Sequence, residues 1–167
     1  MKEIYLAGGC FWGTEYYLKQ IRGVVTTEVG YANGNGANPS YEEVCTDTTG
    51  FVECVKVVYD SAVLSLEKIV ELYFHSIDPL LLNQQGDDMG TRYRTGIYYT
   101  DADDRGAIES VYNSVAQRLG AELVVELEPL RNFYTAEEYH QDYLDKNPAG
   151  YCHLPAYLFE YAKKANR

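Results

Sequence analysis

Cys10 lies in the run Gly8-Gly9-Cys10-Phe11-Trp12-Gly13-Thr14-Glu15, where strand-like residues give way to helix-like ones across two glycines. Ile4 to Ala7 read as a strand, the glycines allow a sharp turn, and Thr14 to Ile21 read as a helix closed by Gly23. A cysteine at that junction stands near a helix N-terminus. Unpaired N–H groups and the positive end of the helix dipole favour the thiolate there, and the thiolate is the nucleophilic form. The chain's one tryptophan, Trp12, is two residues away. A cysteine beside Phe-Trp also suits a buried core, because free cysteine is among the most buried residue types. Spacing alone leaves both readings open.

A second chemical group stands in the strand-like run Phe51 to Tyr59. Alternation puts Phe51, Glu53, Val55, Val57 and Tyr59 on one face, and Val52, Cys54, Lys56 and Val58 on the other. If the first face packs inward, desolvation raises the pKa of Glu53 and keeps a proton available near neutral pH; if it ends at the surface, Glu53 is a solvated carboxylate. Cys152 lies between Asn147-Pro148-Ala149-Gly150-Tyr151 and His153-Leu154-Pro155, a stretch that Pro and Gly make unsuited to regular structure. A flexible loop suits a thiol that must travel to another sulfur, and equally a thiol with no assigned role. Cys45 and Cys54 read as core. His140 with Cys10 would allow a cysteine hydrolase, although no orienting third group or oxyanion site can be picked out. A non-catalytic module that binds a side chain on Phe11 and Trp12 is a third possibility.

The elements that must position these groups alternate along the chain. Strand-like segments are Ile4 to Ala7, Val24 to Tyr31, Phe51 to Tyr59, Gly96 to Thr100 and Leu123 to Leu127. Ser65 caps an expected helix whose stripe is Ile69, Leu72, Tyr73 and Ile77, ending before Pro79. A longer helix from about Asp103 to Leu119 carries Ile108, Val111, Tyr112, Val115 and Leu119 at helical spacing and stops at Gly120. Thr135 and Glu138 form a capping-box pattern that predicts a helix to about Asp145. Asn33 to Ser40 is loop-like. Strands and helices in this order predict a sheet with helices packed on it.

The 167 residues fit one domain, with 46% apolar and 23% charged residues. A net charge of -11 and scattered basic residues argue against nucleic acid or an anionic membrane surface as partner. No apolar run approaches the roughly 18 residues of a spanning helix, and Met1-Lys2-Glu3 leads directly into the first strand; a cytoplasmic protein is expected. Cysteines at 10, 45, 54 and 152 give neither a zinc pattern nor a dense disulfide framework.

The octapeptide around Cys10 resembles the nucleophile motif of the peptide methionine sulfoxide reductase A family. Tyr41-Glu42-Glu43-Val44-Cys45, Thr49-Gly50-Phe51-Val52-Glu53, Gly90-Thr91-Arg92-Tyr93-Arg94 and Tyr139-His140-Gln141-Asp142-Tyr143-Leu144-Asp145-Lys146-Asn147-Pro148 resemble it in the same order, over about residues 4 to 152. The resemblance implies an α+β fold: a single domain over residues 1–167, a two-layer α/β sandwich with a mixed, ferredoxin-like sheet and an irregular C-terminal segment from about residue 147.

It also implies roles. Cys10 is the nucleophile, Glu53 the proton donor, and Cys152, at the family's Gly-Tyr-Cys position, the resolving cysteine. Tyr41 and Tyr93 match tyrosines that hold the sulfoxide oxygen, Asp88 matches an acid at the substrate site, and Phe11 and Trp12 would wall the substrate methyl group. The implied activity is reduction of methionine-S-sulfoxide, protein-bound or free, through a Cys10 sulfenic acid and a Cys10–Cys152 disulfide recycled by thioredoxin or another dithiol. No metal or cofactor is implied. Phe51 stands where the family usually has histidine, Arg92 where glutamine is usual, and Ile77 where a histidine precedes Asp-Pro; no cysteine follows Cys152. Some relatives carry selenocysteine at the position of Cys10.

Overall fold

A computed structural model describes residues 1–166. In chain order its elements are β1 (Lys2–Gly8), α1 (Phe11–Lys19), β2 (Val24–Ala32), α2 (Tyr41–Cys45), β3 (Val52–Tyr59), α3 (Leu66–His75), and a small hairpin of β4 (Gln84–Gln85) and β5 (Asp88–Met89). There follow β6 (Thr95–Tyr99), α4 (Arg105–Leu119), β7 (Glu126–Pro129), β8 (Phe133–Thr135), α5 (Tyr143–Lys146) and α6 (Tyr157–Lys164). One sheet has the order β7-β6-β1-β3-β2-β8; β6 and β7 run parallel and every other neighbouring pair antiparallel. Its centre, β6-β1-β3-β2 with α1 and α3 as crossovers, is the split βαβ arrangement of ferredoxin-like folds, extended at both edges. The expected mixed sheet is thus present.

The alternation of β3 places its residues as read. Phe51, Val55, Val57 and Tyr59 join the main core with Leu18, Ile69, Leu72, Ile108 and Val111 from the helices. Val52 and Cys54 pack on the opposite face with Tyr5, Ala7, Ala32 and Tyr98, covered by Leu130 and Phe133. Tyr17 donates to the Leu72 carbonyl at 2.6 Å, joining α1 to α3. Ser65 caps α3 through the Lys68 N–H, and Gly120 ends α4 in the left-handed region.

Three expectations are corrected. α1 begins at Phe11, not Thr14, so Cys10 is itself the residue before the first turn. The strand expected over Leu123 to Leu127 lies at Glu126–Pro129, with Leu123 and Val125 buried in the approach to it. The helix expected from Thr135 does not form. Thr135 ends β8, where it pairs with Gly30, and its hydroxyl donates to Glu28. The capping box that does form joins Ser40 and Glu43 at the start of α2.

The reason is tertiary: pairing along the open edge of β2 outweighs a short helix. Gln141 continues that edge with its side chain, accepting from Val29 N and donating to Val29 O and Ala136 O. Gly30 makes the approach possible, because a Cβ there would lie 2.4 Å from Phe133 Cζ and 2.5 Å from the Tyr134 carbonyl oxygen. Gly30→Ala should therefore cost about 1–3 kcal/mol as an overpacked contact against backbone. A urea midpoint equal to that of the unsubstituted chain would refute this account of β8.

Candidate functional site

The turn between β1 and α1 sets the site. Gly9, at φ 89°, reverses the chain, and Cys10 precedes α1 with 6% of its surface exposed. Thr14 Oγ1 donates to the carbonyls of Gly8 and Cys10, at 3.1 and 3.2 Å, and fixes the turn. The thiolate expected at this helix start is not the resting form. Burial pushes the Cys10 thiol well above its ordinary value and the nearby Glu53 adds to the rise, outweighing the Trp12 and Gly13 N–H groups that favour the anion. Desolvation wins over the helix terminus, so Cys10 rests protonated.

Glu53 is 1% exposed on the inner face of β3, and its Oε1 accepts the Phe11 N–H at 3.1 Å. Burial raises this carboxyl from 4.5 to about 8; the Phe11 N–H and Arg92 oppose the rise, while Asp88 and Asp47 add to it. A neutral carboxylic acid therefore stands against the first turn of the helix that Cys10 opens. Tyr41 and Tyr93 feel the same carboxyl. The Tyr93 hydroxyl is pushed up to about 12 by burial and then by Glu53. Tyr41 is pushed up by burial, by a hydrogen bond with Cys45, and by Glu53. Both phenols are thus neutral donors.

Their positions have local causes. Tyr41 opens α2 and donates its backbone N–H to Glu137 Oε2 at 2.9 Å. Tyr93 ends a 3-10 turn, Thr91–Tyr93, pinned by Asp47, which accepts from Arg92 N at 3.0 Å and from Arg92 Nη1 at 2.6 Å. The Arg92 guanidinium lies 4.4 Å from the Tyr93 ring centre. Arginine at this position therefore serves as Asp47's partner. The other two departures pack: Phe51 fills the space beside Gly34, and Ile77 lies against Gly8.

Phe11 is buried, with its ring centre 5.8 Å from that of Tyr31 and 5.1 Å from that of His140. Trp12 stacks on Tyr143 at 3.8 Å and 10°, and its indole N–H donates to His140 Nδ1 at 3.0 Å. That bond occupies the His140 lone pair and leaves its proton on Nε2. Burial lowers the His140 pKa, and rings of Phe11, Trp12, Tyr41 and Tyr139 surround it. His140 is an aromatic-wall residue rather than a base for Cys10, which removes the geometric support for a cysteine hydrolase.

Asp88, in β5, accepts the Tyr151 hydroxyl at 2.8 Å through Oδ1, while its buried Oδ2 has no partner. Tyr151 precedes Cys152, so the hairpin and the cysteine loop are tied together. Cys152 is half-buried. Its sulfur accepts from Leu154 N at 3.4 Å and sits 3.0 Å from where a Cβ on Gly13 would be, beside the first turn of α1. Cys54 is buried on the far face, as read, but Cys45 is partly exposed at the end of α2, against the core expectation: its thiol neighbours Tyr41. His140, Tyr143, Tyr151 and His153 form part of this constellation without any periodic signal in the sequence; each is brought in by tertiary contact. Among the described residues no cluster of three or more metal-type ligands occurs, and no helix is long and apolar enough to cross a membrane.

A family model described as peptide methionine sulfoxide reductase matches residues 2–166. The chain is 53% identical over 160 residues to a Clostridium acetobutylicum protein named peptide methionine sulfoxide reductase MsrA, covering 96% of this chain and 99% of that one. A protein of the same name from Lachnoclostridium phytofermentans is 51% identical over 164 residues, covering 98% and 99%. Among solved structures, reduced Mxr1 from Saccharomyces cerevisiae superposes with a TM-score of 0.86 at 40% identity, covering 90% of this chain and 88% of that one. Methionine sulfoxide reductase A of Corynebacterium diphtheriae gives 0.81 at 36%, covering 90% and 77%. Mxr1 in complex with Trx2 gives 0.57 at 24%, covering 85% and 84%, a likeness of fold.

The buried acid has a measurable cost. Because the folded pKa of Glu53 is raised from 4.5 to about 8, folding is favoured while the group is protonated, and that stability is lost as pH rises between those values. Glu53→Gln should be more stable than the unsubstituted chain above about pH 8, by on the order of a few kcal/mol, with the difference vanishing near pH 4. Thermal midpoints across pH test this, and a pH-independent difference would contradict the burial argument.

Proposed function

Because this chain belongs to the peptide methionine sulfoxide reductase family, we propose that it reduces the S epimer of methionine sulfoxide, in proteins and as the free amino acid, with Cys10 as nucleophile, Glu53 as proton donor and Cys152 as resolving thiol. The observation that carries this reading is the neutral Glu53 carboxyl bonded to the Phe11 N–H, one residue from the cysteine. A sulfoxide offers a polarised S–O bond and a poor leaving oxygen, so thiol attack on sulfur needs that oxygen protonated or strongly hydrogen-bonded. Glu53, Tyr41 and Tyr93 can donate to it without carrying charge into an apolar site.

In the first step the Cys10 sulfur attacks the sulfoxide sulfur. Glu53 gives its proton to the oxygen and is reprotonated from the thiol, and oxygen passes to Cys10 as methionine leaves. Phe11 and Trp12, the latter held by Tyr143 and His140, would receive the methyl group. Asp88, with an unpartnered buried oxygen, would accept from a polar group of the substrate. In the second step Cys152 condenses with the Cys10 sulfenic acid, releasing water.

A dithiol such as thioredoxin would reduce the bridge; the Mxr1 complex with Trx2 supports that choice. Cysteines without a disulfide framework suit a cytoplasmic setting. The reading treats residues 1–167 as one reductase domain with the resolving cysteine in the loop from about residue 147, and needs no metal or cofactor beyond the reductant.

Mixing the reduced protein with methionine sulfoxide should consume two thiols per methionine formed. Cys10→Ser should abolish both, and Cys152→Ser should give one methionine per chain with an accumulating sulfenic acid. Unchanged thiols with no methionine would end the proposal, while sustained thioredoxin-dependent turnover by Cys152→Ser would remove that residue from the cycle. For Glu53, the rate of methionine formation should fall as pH rises through about 8. The Glu53→Gln variant should lose roughly 10²–10⁴-fold in that step, and an unaltered single-turnover rate would exclude Glu53 as donor.

A further inference from the structure

His153 takes no part in the cycle above, yet it is wedged into the turn that carries Cys10. A Cβ on Gly9 would fall 3.1 Å from its Nε2, and one on Gly13 would fall 2.9 Å from its Nδ1. Nε2 itself lies 3.0 Å from the Gly8 carbonyl oxygen, which also receives the Thr14 hydroxyl. A carbonyl can only accept, so Nε2 carries the proton and Nδ1 presents a bare lone pair. That Nδ1 is buried with no hydrogen-bond partner. An orphaned buried acceptor is costly and calls for a reason.

The reason lies beside it. Cys152 Sγ stands 3.0 Å from the same point over Gly13 that Nδ1 approaches to 2.9 Å. The lone pair and the sulfur thus approach the same point on one side of the first turn of α1; the thiol points its proton at the Leu154 carbonyl oxygen, 3.6 Å away, and must turn from it to reach Nδ1. The thiol needs a base, because burial and then Asp88 raise its pKa and leave little thiolate near neutral pH. The titratable groups around His153 are Cys152 in its own loop, Asp88 on β5, and Cys10 in the segment it packs against. Asp88 favours the imidazolium, but burial is the larger effect and lowers the His153 pKa, so the ring is a free base at neutral pH.

We propose that His153 Nδ1 is the general base that accepts the Cys152 proton as the disulfide forms, an inference that rests on the sulfoxide reductase reading. Cys152 Sγ attacks the sulfur of the Cys10 sulfenic acid. The S–S bond forms, and the S–OH bond breaks with its electron pair going to oxygen. The thiol proton passes to Nδ1 and then to the departing hydroxide, giving water. Cys152 is oxidised, the Cys10 sulfenic sulfur is reduced, and no further reactant is required.

His153→Gln retains an N–H able to reach the Gly8 carbonyl but offers no base at the Nδ1 position. Reduced protein is mixed with methionine sulfoxide from about pH 6 to about pH 9.5, and methionine and the Cys10–Cys152 disulfide are followed separately. The variant should release methionine at the unsubstituted rate. Its disulfide should form roughly 10²-fold more slowly near neutral pH, and approach the unsubstituted rate as pH rises and Cys152 ionises unaided. Disulfide formation at the unsubstituted rate, or slowed by one factor at every pH, would overturn the proposal and leave His153 with a packing role. Loss of the methionine burst from the variant alone would also overturn it, because His153 would then serve the first step. Absence of the burst from the unsubstituted protein would instead remove the reductase reading.

Discussion

The hydrogen bond from Phe11 N–H to Glu53 is the joint on which the site depends. It ties the first turn of α1 to the inner face of β3, so the helix start and the buried acid cannot drift apart. The sheet order prepares it: β1 lies next to β3 with Leu6 opposite Val55, and two residues further along each strand that register sets Gly8 level with Glu53. A ferredoxin-like centre thus delivers the glycine turn and the carboxyl to one place, and the edges add β8 and the segment that brings in His140 and Tyr143.

Burial then determines the chemistry. Cys10, Glu53, Tyr41 and Tyr93 are each held in the neutral, protonated form, chiefly by desolvation. The charged groups stand behind them and act at a distance: Asp47 and Arg92 pin the turn that carries Tyr93. The result is a group of side chains rich in donors and poor in charge. Such a grouping matches a neutral, strongly dipolar oxygen better than an anion, and it differs from a cysteine hydrolase, in which the histidine must be free to take a proton.

How far the sequence revealed this depended on the range of the interaction. The alternation of β3 was legible because a period of two forces Glu53 onto the apolar face whatever the partners are. The caps at Ser65 and Gly120 were legible because they satisfy backbone groups within a few residues. The helix expected from Thr135 was wrong because its competitor was the distant edge of β2, opened to it by Gly30. The expected Cys10 thiolate was wrong because local dipole reasoning carries no information on burial. His153 and Tyr151 left no periodic trace, since both are placed by glycines and side chains more than sixty residues away. Tyr41, Tyr93 and Asp88 entered only through family resemblance.

A protonated resting cysteine has a consequence for survival in the conditions that create the substrate. Peroxides oxidise thiolates far faster than thiols, so an exposed, ionised Cys10 would be consumed by the same oxidants that damage methionine, and could be driven past the sulfenic state into irreversible acids. In the proposed cycle, burial beside a neutral carboxyl would withhold reactivity until a sulfoxide is bound and draws the Glu53 proton. On that reading the enclosure that raises the thiol pKa acts as insulation, shielding Cys10 from stray oxidant while leaving it responsive to a bound sulfoxide.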